Sequence, residues 1–185
     1  MSDTKRADGQ RNYERLLSEA RAAFAEHGTD VSLRDVARRA GVGIGTLYRH
    51  FPTRDALIEA AFRHGLEDLA DRAGVLLDAE SPSDALAEWL LAFAAAFARY
   101  QGLPASLLAA LRDETSSLHE SCEGMRDGAG RLLARAQRDG AIRPDLTVGE
   151  LLSLTTAVAW AAQQSPPGTD PTARLLGLLR TGIAV

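Results

Sequence analysis

Apolar residues recur along this chain at intervals of three and four positions, the spacing that places side chains on one face of an α-helix. No segment shows the strict alternation of apolar and polar residues that predicts a half-buried strand. Short polar clusters rich in proline and glycine, such as residues 165–168, separate the periodic segments. The pattern predicts an all-α fold.

The start and stop signals of helices divide the pattern further. Ser117 with Glu120 and Thr147 with Glu150 have the spacing of a capping box, in which the two side chains each accept a backbone hydrogen bond from the other residue. The predicted helices cover about 12–27, a short segment after Ser32, and then 44–51, 54–79, 82–100, 104–112, 117–138, 148–164 and 171–182. Three glycines, Gly124, Gly128 and Gly130, predict a kink or break within 117–138.

The stretch VSLRDVARRAGVGIGTLYRHFPTRDALIEAAF, residues 31–62, predicts two short helices joined by a turn that contains glycine. Ser32 and Asp35 have capping-box spacing at the start of the first helix. Gly41 stands where a helix ends in a left-handed residue, a conformation that glycine adopts without strain. Leu47 and Phe51 face the core, which leaves the polar side of the second helix outside. Such a pair of helices can place one helix in a DNA groove.

Within this stretch, GVGIGTLYRHFPTRDAL (residues 41–57) resembles the helix-turn-helix of TetR-type transcriptional regulators, and the likeness extends over about residues 11–62. Beyond it, only the length and the all-helical pattern agree with that family. The resemblance implies a three-helix DNA-binding domain at 1–53, a connecting helix at 54–80, and a helical ligand-binding and dimerisation domain at 81–185.

The resemblance also implies which residues contact DNA. By position in the motif they are Arg34, Gly43, Ile44, Gly45, Thr46, Tyr48, Arg49, His50 and Arg54. Arginine can grip a guanine edge with two hydrogen bonds, isoleucine can meet a thymine methyl, and hydroxyl or cationic side chains suit phosphates. The alternative is a solvated helix face with an ordinary aromatic anchor.

A small-molecule pocket among the C-terminal helices is the second implied site. The candidate residues are Trp89, Phe93, Phe97, Leu103, Leu107, Leu111, His119, Met125 and Trp160. Residues at helical spacing also pack cores, so core packing remains the alternative at each position. Trp89 and Trp160 each carry an indole N–H that needs a partner. His119 is one of several polar residues that offer a handle, with Arg99, Gln101, Glu114 and Gln163.

A subunit interface is the third implied site, because family members pack their last two long helices into a four-helix bundle between subunits. The candidate residues are Leu151, Leu152, Thr155, Val158, Ala159 and Ala162 on one helix, with Leu175, Leu178 and Leu179 on the other. The alternative is that they cover the core of their own subunit. Pairing suits a DNA reader, since two recognition helices then meet successive major grooves.

Composition and charge narrow the class of protein. The chain has 185 residues, 45% of them hydrophobic, which is enough to bury a core. Residues 1–65 carry 11 Lys and Arg against 9 Asp and Glu, whereas the rest carries 10 against 16. The small basic excess therefore coincides with the predicted DNA-reading segment. No apolar run is long enough to span a membrane, no signal-peptide pattern follows the N-terminus, and one cysteine excludes an intrachain disulfide. We expect a cytoplasmic protein.

Catalytic and metal signatures are weak. His119 and Cys122 share a helix face, but no second pair completes a metal site, so we expect no metal and no cofactor. A thiol sensor at Cys122 and a merely buried cysteine both remain open. GVGIG is not a dinucleotide loop, because no strand precedes it and Tyr48 stands where the third glycine belongs. We expect that this protein is not an enzyme.

The sequence as a whole indicates a homodimeric DNA-binding repressor that a small apolar or amphipathic ligand releases from a double-stranded operator. One alternative is a DNA-binding regulator without an inducer, which acts through a protein partner or as an activator. A second is a helical carrier or enzyme that does not bind DNA.

Overall fold

The computed structural model describes residues 2–98, 105–166 and 169–184. Within these ranges the chain forms α1 (Ser2–His27), α2 (Leu33–Arg39), α3 (Ile44–His50), α4 (Arg54–Leu76), α5 (Pro82–Ala98), α6 (Ala105–Arg112), α7 (Ser117–Arg138), α8 (Val148–Gln163) and α9 (Thr172–Ile183). Only one isolated antiparallel bridge, between Ile142 and Ala184, interrupts the helical pattern there. The all-α prediction is confirmed. None of the described helices has the length and apolar character needed to cross a membrane.

Helix α1 begins at Ser2, well before the predicted start at residue 12. The added turns carry no apolar stripe, so periodicity could not reveal them. Polar pairs one turn apart contribute to this part of the helix: Gln10 donates to Glu14 over 2.9 Å, and Arg11 pairs with Asp8. Residues 99–104 lie outside the described residues. The predicted end of α5 and the predicted start of α6 fall in this range.

Helix α7 runs without interruption from Ser117 to Arg138, so the break predicted at its glycines does not occur. Gly128 has a packing role instead. A Cβ atom placed there would lie 2.8 Å from the Cβ of Ala73 and 3.7 Å from the carbonyl oxygen of Ala70. Glycine therefore lets α7 approach the backbone of α4 more closely than any larger residue would.

Two compact units divide the described part of the chain, one within residues 1–64 and 99–118 and the other within 65–98 and 119–185. In the first unit, apolar side chains from α1 to α4 form the core. Its fully or nearly fully buried members include Leu16, Ala20, Phe24, Val36, Leu47, Leu57 and Ile58. Because α1, α2 and the start of α4 bury these faces together, α3 is left with one anchored side and one free side.

The second unit is built on α5, α7, α8, α9 and the end of α4. Trp89 is its largest fully buried side chain, and its indole N–H donates to the carbonyl of Leu69 over 2.8 Å. The ring of Trp89 stacks on Phe93 with 5.5 Å between centroids. A smaller cluster of Ala94, Ala159 and Leu176 joins α5, α8 and α9.

The predicted capping boxes have different outcomes. At α8, Thr147 accepts from the Glu150 amide over 3.2 Å, and Glu150 accepts from the Thr147 amide over 2.9 Å, as predicted. At α2, Ser32 makes no capping side-chain bond, and that prediction is wrong. The Asp35 carboxylate pairs instead with Arg38 over 2.7 Å.

Candidate nucleic-acid interface

The turn between α2 and α3 has the geometry of a helix ending in a left-handed residue. Gly41 has a φ of 67°, and the amide of Val42 returns to the carbonyl of Ala37 over 3.0 Å. A Cβ at Gly41 would lie 2.6 Å from Nη2 of Arg15, but that guanidinium ends a flexible, exposed side chain that can move aside. The backbone conformation is therefore what requires glycine here, and the prediction from the sequence is confirmed.

Helix α3 is fixed to the first unit along one side. Leu47 is fully buried, and Phe51, which follows the last turn, stacks on Tyr13 with 5.1 Å between centroids. His50 meets the same Tyr13 ring edge to face at 5.9 Å. These contacts orient the helix so that its remaining side faces outward.

The structure places the nine predicted DNA-contact residues in two environments. Arg34, Gly43, Gly45, Tyr48 and Arg49 are exposed, whereas Ile44, Thr46, His50 and Arg54 are half-buried. Tyr48 is a large aromatic residue with 48% of its surface exposed. Eight of the nine residues lie on α2, on α3 or in the turn before α3, and Arg54 is the first residue of α4.

Arg49 is folded back along α3. Its Nε donates to the carbonyl of Gly45 over 3.2 Å, and Nη2 donates to the Thr46 hydroxyl over 3.1 Å. The guanidinium is thereby held over the first turn of the helix while part of its donor fork stays exposed. A cation preorganised at this end of a recognition helix suits an anionic or guanine partner.

Arg54 occupies a different setting from the one expected of a phosphate donor. Its Nη1 donates to the carbonyls of Thr29 and Val31 over 2.9 and 2.7 Å. Sequence reasoning missed this contact, because more than twenty positions separate the partners and no periodicity connects them.

The arginines of the first unit differ in whether a nearby carboxylate offsets their positive charge. Arg39 pairs with Glu26 over 2.8 Å, and the hydrogen bond and charge of Arg39 hold the pKa of Glu26 below its ordinary value. Among the described residues, Arg34 and Arg49 form no ion pair with a carboxylate. Arg15 is a further exposed cation beside the turn, and it was missed because it lies on α1, outside the motif.

The candidate ligand residues are distributed over both units. Trp89, Phe93, Leu107 and Met125 are buried, Leu111 and His119 are half-buried, Phe97 and Trp160 are exposed by 40% and 64%, and Leu103 lies outside the described residues. Three rings form a ladder along α5: Trp89 stacks on Phe93, and Phe93 meets Phe97 at a tilt of 37° with 5.7 Å between centroids. A cavity of about 210 Å³ lies elsewhere, between α5 and α9, and includes Leu86, Leu90, Leu176 and Ile183 in its lining.

The candidate interface residues divide by burial. Leu151, Leu152, Thr155 and Ala159 are buried in their own subunit, Val158, Ala162, Leu175 and Leu179 are half-buried, and Leu178 is 59% exposed. The four buried residues pack the core, which was the alternative for these positions. The outward face of α8 instead carries Leu154, Ala157, Trp160 and Ala161. Apolar residues at helical spacing occur on both stripes of α8, so the spacing alone does not separate core residues from surface residues.

The thiol and metal candidates have no supporting cluster. Within the described residues, no group of three His, Cys, Asp or Glu side chains is placed to hold a metal ion. Cys122 is half-buried, and burial raises the pKa of its thiol. A raised pKa lowers the thiolate fraction and so disfavours a reactive sensor.

Two protein families match the sequence of this chain. Residues 16–61 match the sequence profile of the bacterial regulatory proteins of the tetR family, and residues 81–185 match that of the SbtR-like transcriptional regulator C-terminal domain. The chain belongs to the TetR family. It is therefore a helix-turn-helix regulator of transcription that binds DNA, and not an enzyme.

Individual TetR relatives agree over nearly the whole chain. The chain is 29% identical to the transcriptional repressor KstR2 of Rhodococcus jostii over 169 residues, which cover 86% of this chain and 81% of the relative. A crystal structure of a TetR regulator from Streptomyces coelicolor is 32% identical, with a TM-score of 0.76, and the match covers 93% and 98% of the two chains. A TetR regulator from Mycobacterium vanbaalenii is 33% identical, with a TM-score of 0.67 over 97% and 99%.

Proposed function

We propose that this TetR-family regulator is a homodimeric repressor. Each subunit lays α3 in the major groove of an operator, and a small apolar or amphipathic ligand releases the protein from DNA. The outer face of α3 carries the proposal: Leu47 and Phe51 anchor the helix, while Tyr48 and Arg49 stand exposed on its other side. Helix α3 has only seven residues, short enough for its whole outer face to lie in one groove.

Roles on this face follow from side-chain chemistry. Arg49 and Arg34 read guanine edges or meet phosphates, and Thr46 and Tyr48 donate to phosphate oxygens. Gly43 and Gly45 have open space around their Cα atoms, so the start of α3 can approach the duplex closely. The exposed guanidinium of Arg15, beside the turn, makes a further contact to the phosphate backbone of the DNA.

The experiment that tests DNA recognition begins with selection of bound duplexes from random DNA by the wild-type chain. Arg49→Ala and Tyr48→Ala are then measured on the selected duplex across salt concentrations. We expect Arg49→Ala to weaken binding by roughly 1–3 kcal/mol if it reads a base, and Tyr48→Ala to lose affinity through its phosphate contact.

Arg131→Met is the matched control, because Arg131 is an exposed arginine on α7 in the other unit. It removes the same charge without touching α3, and we expect it to bind like the wild type. Unchanged affinity and unchanged salt dependence in both α3 variants would remove the assignment of this face.

Dimerisation is the second part of the proposal. Two large apolar residues on the outward stripe of α8, Leu154 and Trp160, are exposed by 41% and 64%, and Leu178 on α9 is 59% exposed. Exposure of large apolar side chains to water is unfavourable, and covering them with a second copy of the chain lowers the free energy. A twofold dimer would place two α3 helices about one duplex turn apart, at ~34 Å.

Ligand release is the third part. It is typical of the family, and the ring ladder of α5 supports it here, because Phe97, the last ring of the ladder among the described residues, has 40% of its surface exposed. In the proposed mechanism, ligand binding shifts α4 and changes the separation of the two α3 helices. The ligand must bind the non-operator conformer more tightly, since equal affinity for both conformers would shift nothing.

A second candidate function is a DNA-binding regulator without a small-molecule inducer. The packing around Trp89 favours it, because that ring is fully buried and its N–H is already satisfied by Leu69. Met125, another candidate ligand contact, is also buried. A regulator of this kind would respond to a protein partner instead.

A further inference from the structure

We propose that Arg54 is a positioning residue, which fastens the start of α4 to the loop between α1 and α2 and so fixes the orientation of the helix-turn-helix. The proposal deepens the proposed function and rests on it, since orientation matters only if α3 meets DNA. It departs from the expectation that Arg54 is a phosphate donor.

The contacts of Arg54 are directed into its own unit. Nη1 donates to two backbone carbonyls, that of Thr29 over 2.9 Å and that of Val31 over 2.7 Å. Hydrogen bonds from a charged donor are stronger than neutral ones. The guanidinium therefore has a defined place, unlike an exposed arginine that samples many rotamers.

The loop that receives these bonds contains the buried residue Thr29, but it has few backbone hydrogen bonds of its own. It begins with Gly28 at a φ of 73°, and its own internal bond, from the Val31 amide to the Gly28 carbonyl, is 3.5 Å long. Ser32, at its end, makes no capping side-chain bond to α2. The carbonyls of Thr29 and Val31 lie between helices, so no helix satisfies them, and Arg54 does.

The start of α4 thereby holds the helix-turn-helix from both sides. On one side, the chain runs directly from α3 through Phe51 into the Thr53 cap, whose hydroxyl accepts from the Ala56 amide over 3.0 Å. On the other side, Arg54 binds the loop that leads into α2. Any displacement of the start of α4 is therefore transmitted to both ends of the segment from α2 to α3.

The test separates a positioning role from a phosphate contact. Arg54→Met keeps the apolar stem and removes every donor, whereas Arg54→Lys keeps the charge without the planar guanidinium geometry. Operator binding is measured by fluorescence anisotropy from about 50 to about 200 mM salt, the range over which phosphate contacts lose affinity strongly. Each variant is measured at a temperature at which circular dichroism shows full native helix content.

We expect Arg54→Met to weaken operator binding about tenfold at every salt concentration, with an unchanged slope of log K against log salt. Arg54→Lys falls between Arg54→Met and the wild type, and Arg131→Met binds like the wild type. Hydrogen exchange without DNA gives an independent readout, in which amides at 29–33 exchange faster in Arg54→Met. That readout holds even if the wild type selects no duplex, which would overturn the proposed function separately.

Two results would overturn the inference. In the first, Arg54→Met flattens the salt slope by about 0.9, the value for one lost phosphate contact, and Arg54→Lys restores it. In the second, the folded variants bind the operator like the wild type and differ only in melting temperature, which would leave Arg54 a purely structural role.

Discussion

At the scale of the residue, the environment of each side chain decides what it can do. Trp89 and Trp160 have the same indole N–H, but Trp89 is fully buried with its N–H bonded to Leu69, whereas Trp160 is 64% exposed on α8. Arg49 and Arg54 have the same guanidinium, but one lies along the outer face of α3 and the other grips a loop. The type of a residue thus defines which interactions its side chain can make, and the neighbouring groups in the structure determine which of these it makes.

A residue-scale prediction tests the ligand site at Phe97. The fluorescent amphiphile 8-anilinonaphthalene-1-sulfonate serves as the probe, because it joins an apolar ring system to an anion. Removing an aromatic contact of this size costs about 1.5 kcal/mol, so Phe97→Ala should weaken dye binding roughly tenfold in a fluorescence titration.

Leu91→Ala is the matched control for that titration, since Leu91 lies on the same helix and is also 40% exposed. It belongs to the lining of the cavity between α5 and α9. Loss of dye binding in Leu91→Ala but not in Phe97→Ala would move the ligand site to that cavity.

At the scale of the element, α7 explains why glycine content misled the helix prediction. Intrinsic propensity disfavours glycine by about 1 kcal/mol per position relative to alanine, yet α7 is continuous. Close packing of Gly128 on Ala73 offsets the cost at one position, because only glycine fits there. Local propensity was overruled by a contact between helices far apart in sequence.

Two glycine substitutions on α7 should therefore have opposite effects. Gly128→Ala gains about 1 kcal/mol of propensity but overpacks the Ala73 contact, which costs roughly 1–3 kcal/mol, so we expect net destabilisation. Gly124→Ala meets nothing within 4 Å, and we expect it to stabilise by up to about 1 kcal/mol. Urea unfolding followed by circular dichroism measures both, and equal effects of the two changes would refute the packing argument.

At the scale of the whole molecule, the outward stripe of α8 is the feature that a monomer does not explain. Trp160 contributes little to the core of its subunit, yet it is a large aromatic residue at 64% exposure. Burying an aromatic side chain of this size at an interface is worth several kcal/mol across a symmetric pair. The proposed dimer accounts for a tryptophan at this position.

Trp160→Glu should convert the dimer to monomers at micromolar concentration in sedimentation velocity. A carboxylate that a second subunit covers loses its hydration, and this loss opposes association. Val75→Glu is the control, because Val75 is also a surface apolar residue, 75% exposed, but lies on α4. A wild type that sediments as a monomer would exclude the interface, and dissociation by Val75→Glu alone would place it elsewhere.

Local sequence rules were enough to predict most of the helices of this protein, although they missed the first turns of α1 and the continuity of α7. Helix periodicity, the Thr147 capping box and the glycine required at Gly41 depend on residues within a few positions of one another, so they were predictable. The family resemblance likewise rests on one contiguous motif, which covers the turn after α2, helix α3 and the start of α4. The buried residues of α4 follow the same periodicity, because Leu57, Ile58, Ala61, Leu66, Leu69, Ala73 and Leu76 recur mostly at intervals of three to five positions.

The tertiary structure decided which of several equivalent candidates fills each role. Arg54 reaches Thr29 and Val31, Gly128 admits Ala73, and α8 turns Leu151 and Thr155 inward and Trp160 outward. These outcomes depend on contacts between segments far apart in the chain, and spacing within one helix carries no information about them. An amphipathic stripe specifies that a face is covered, whereas only the packed neighbours specify what covers it.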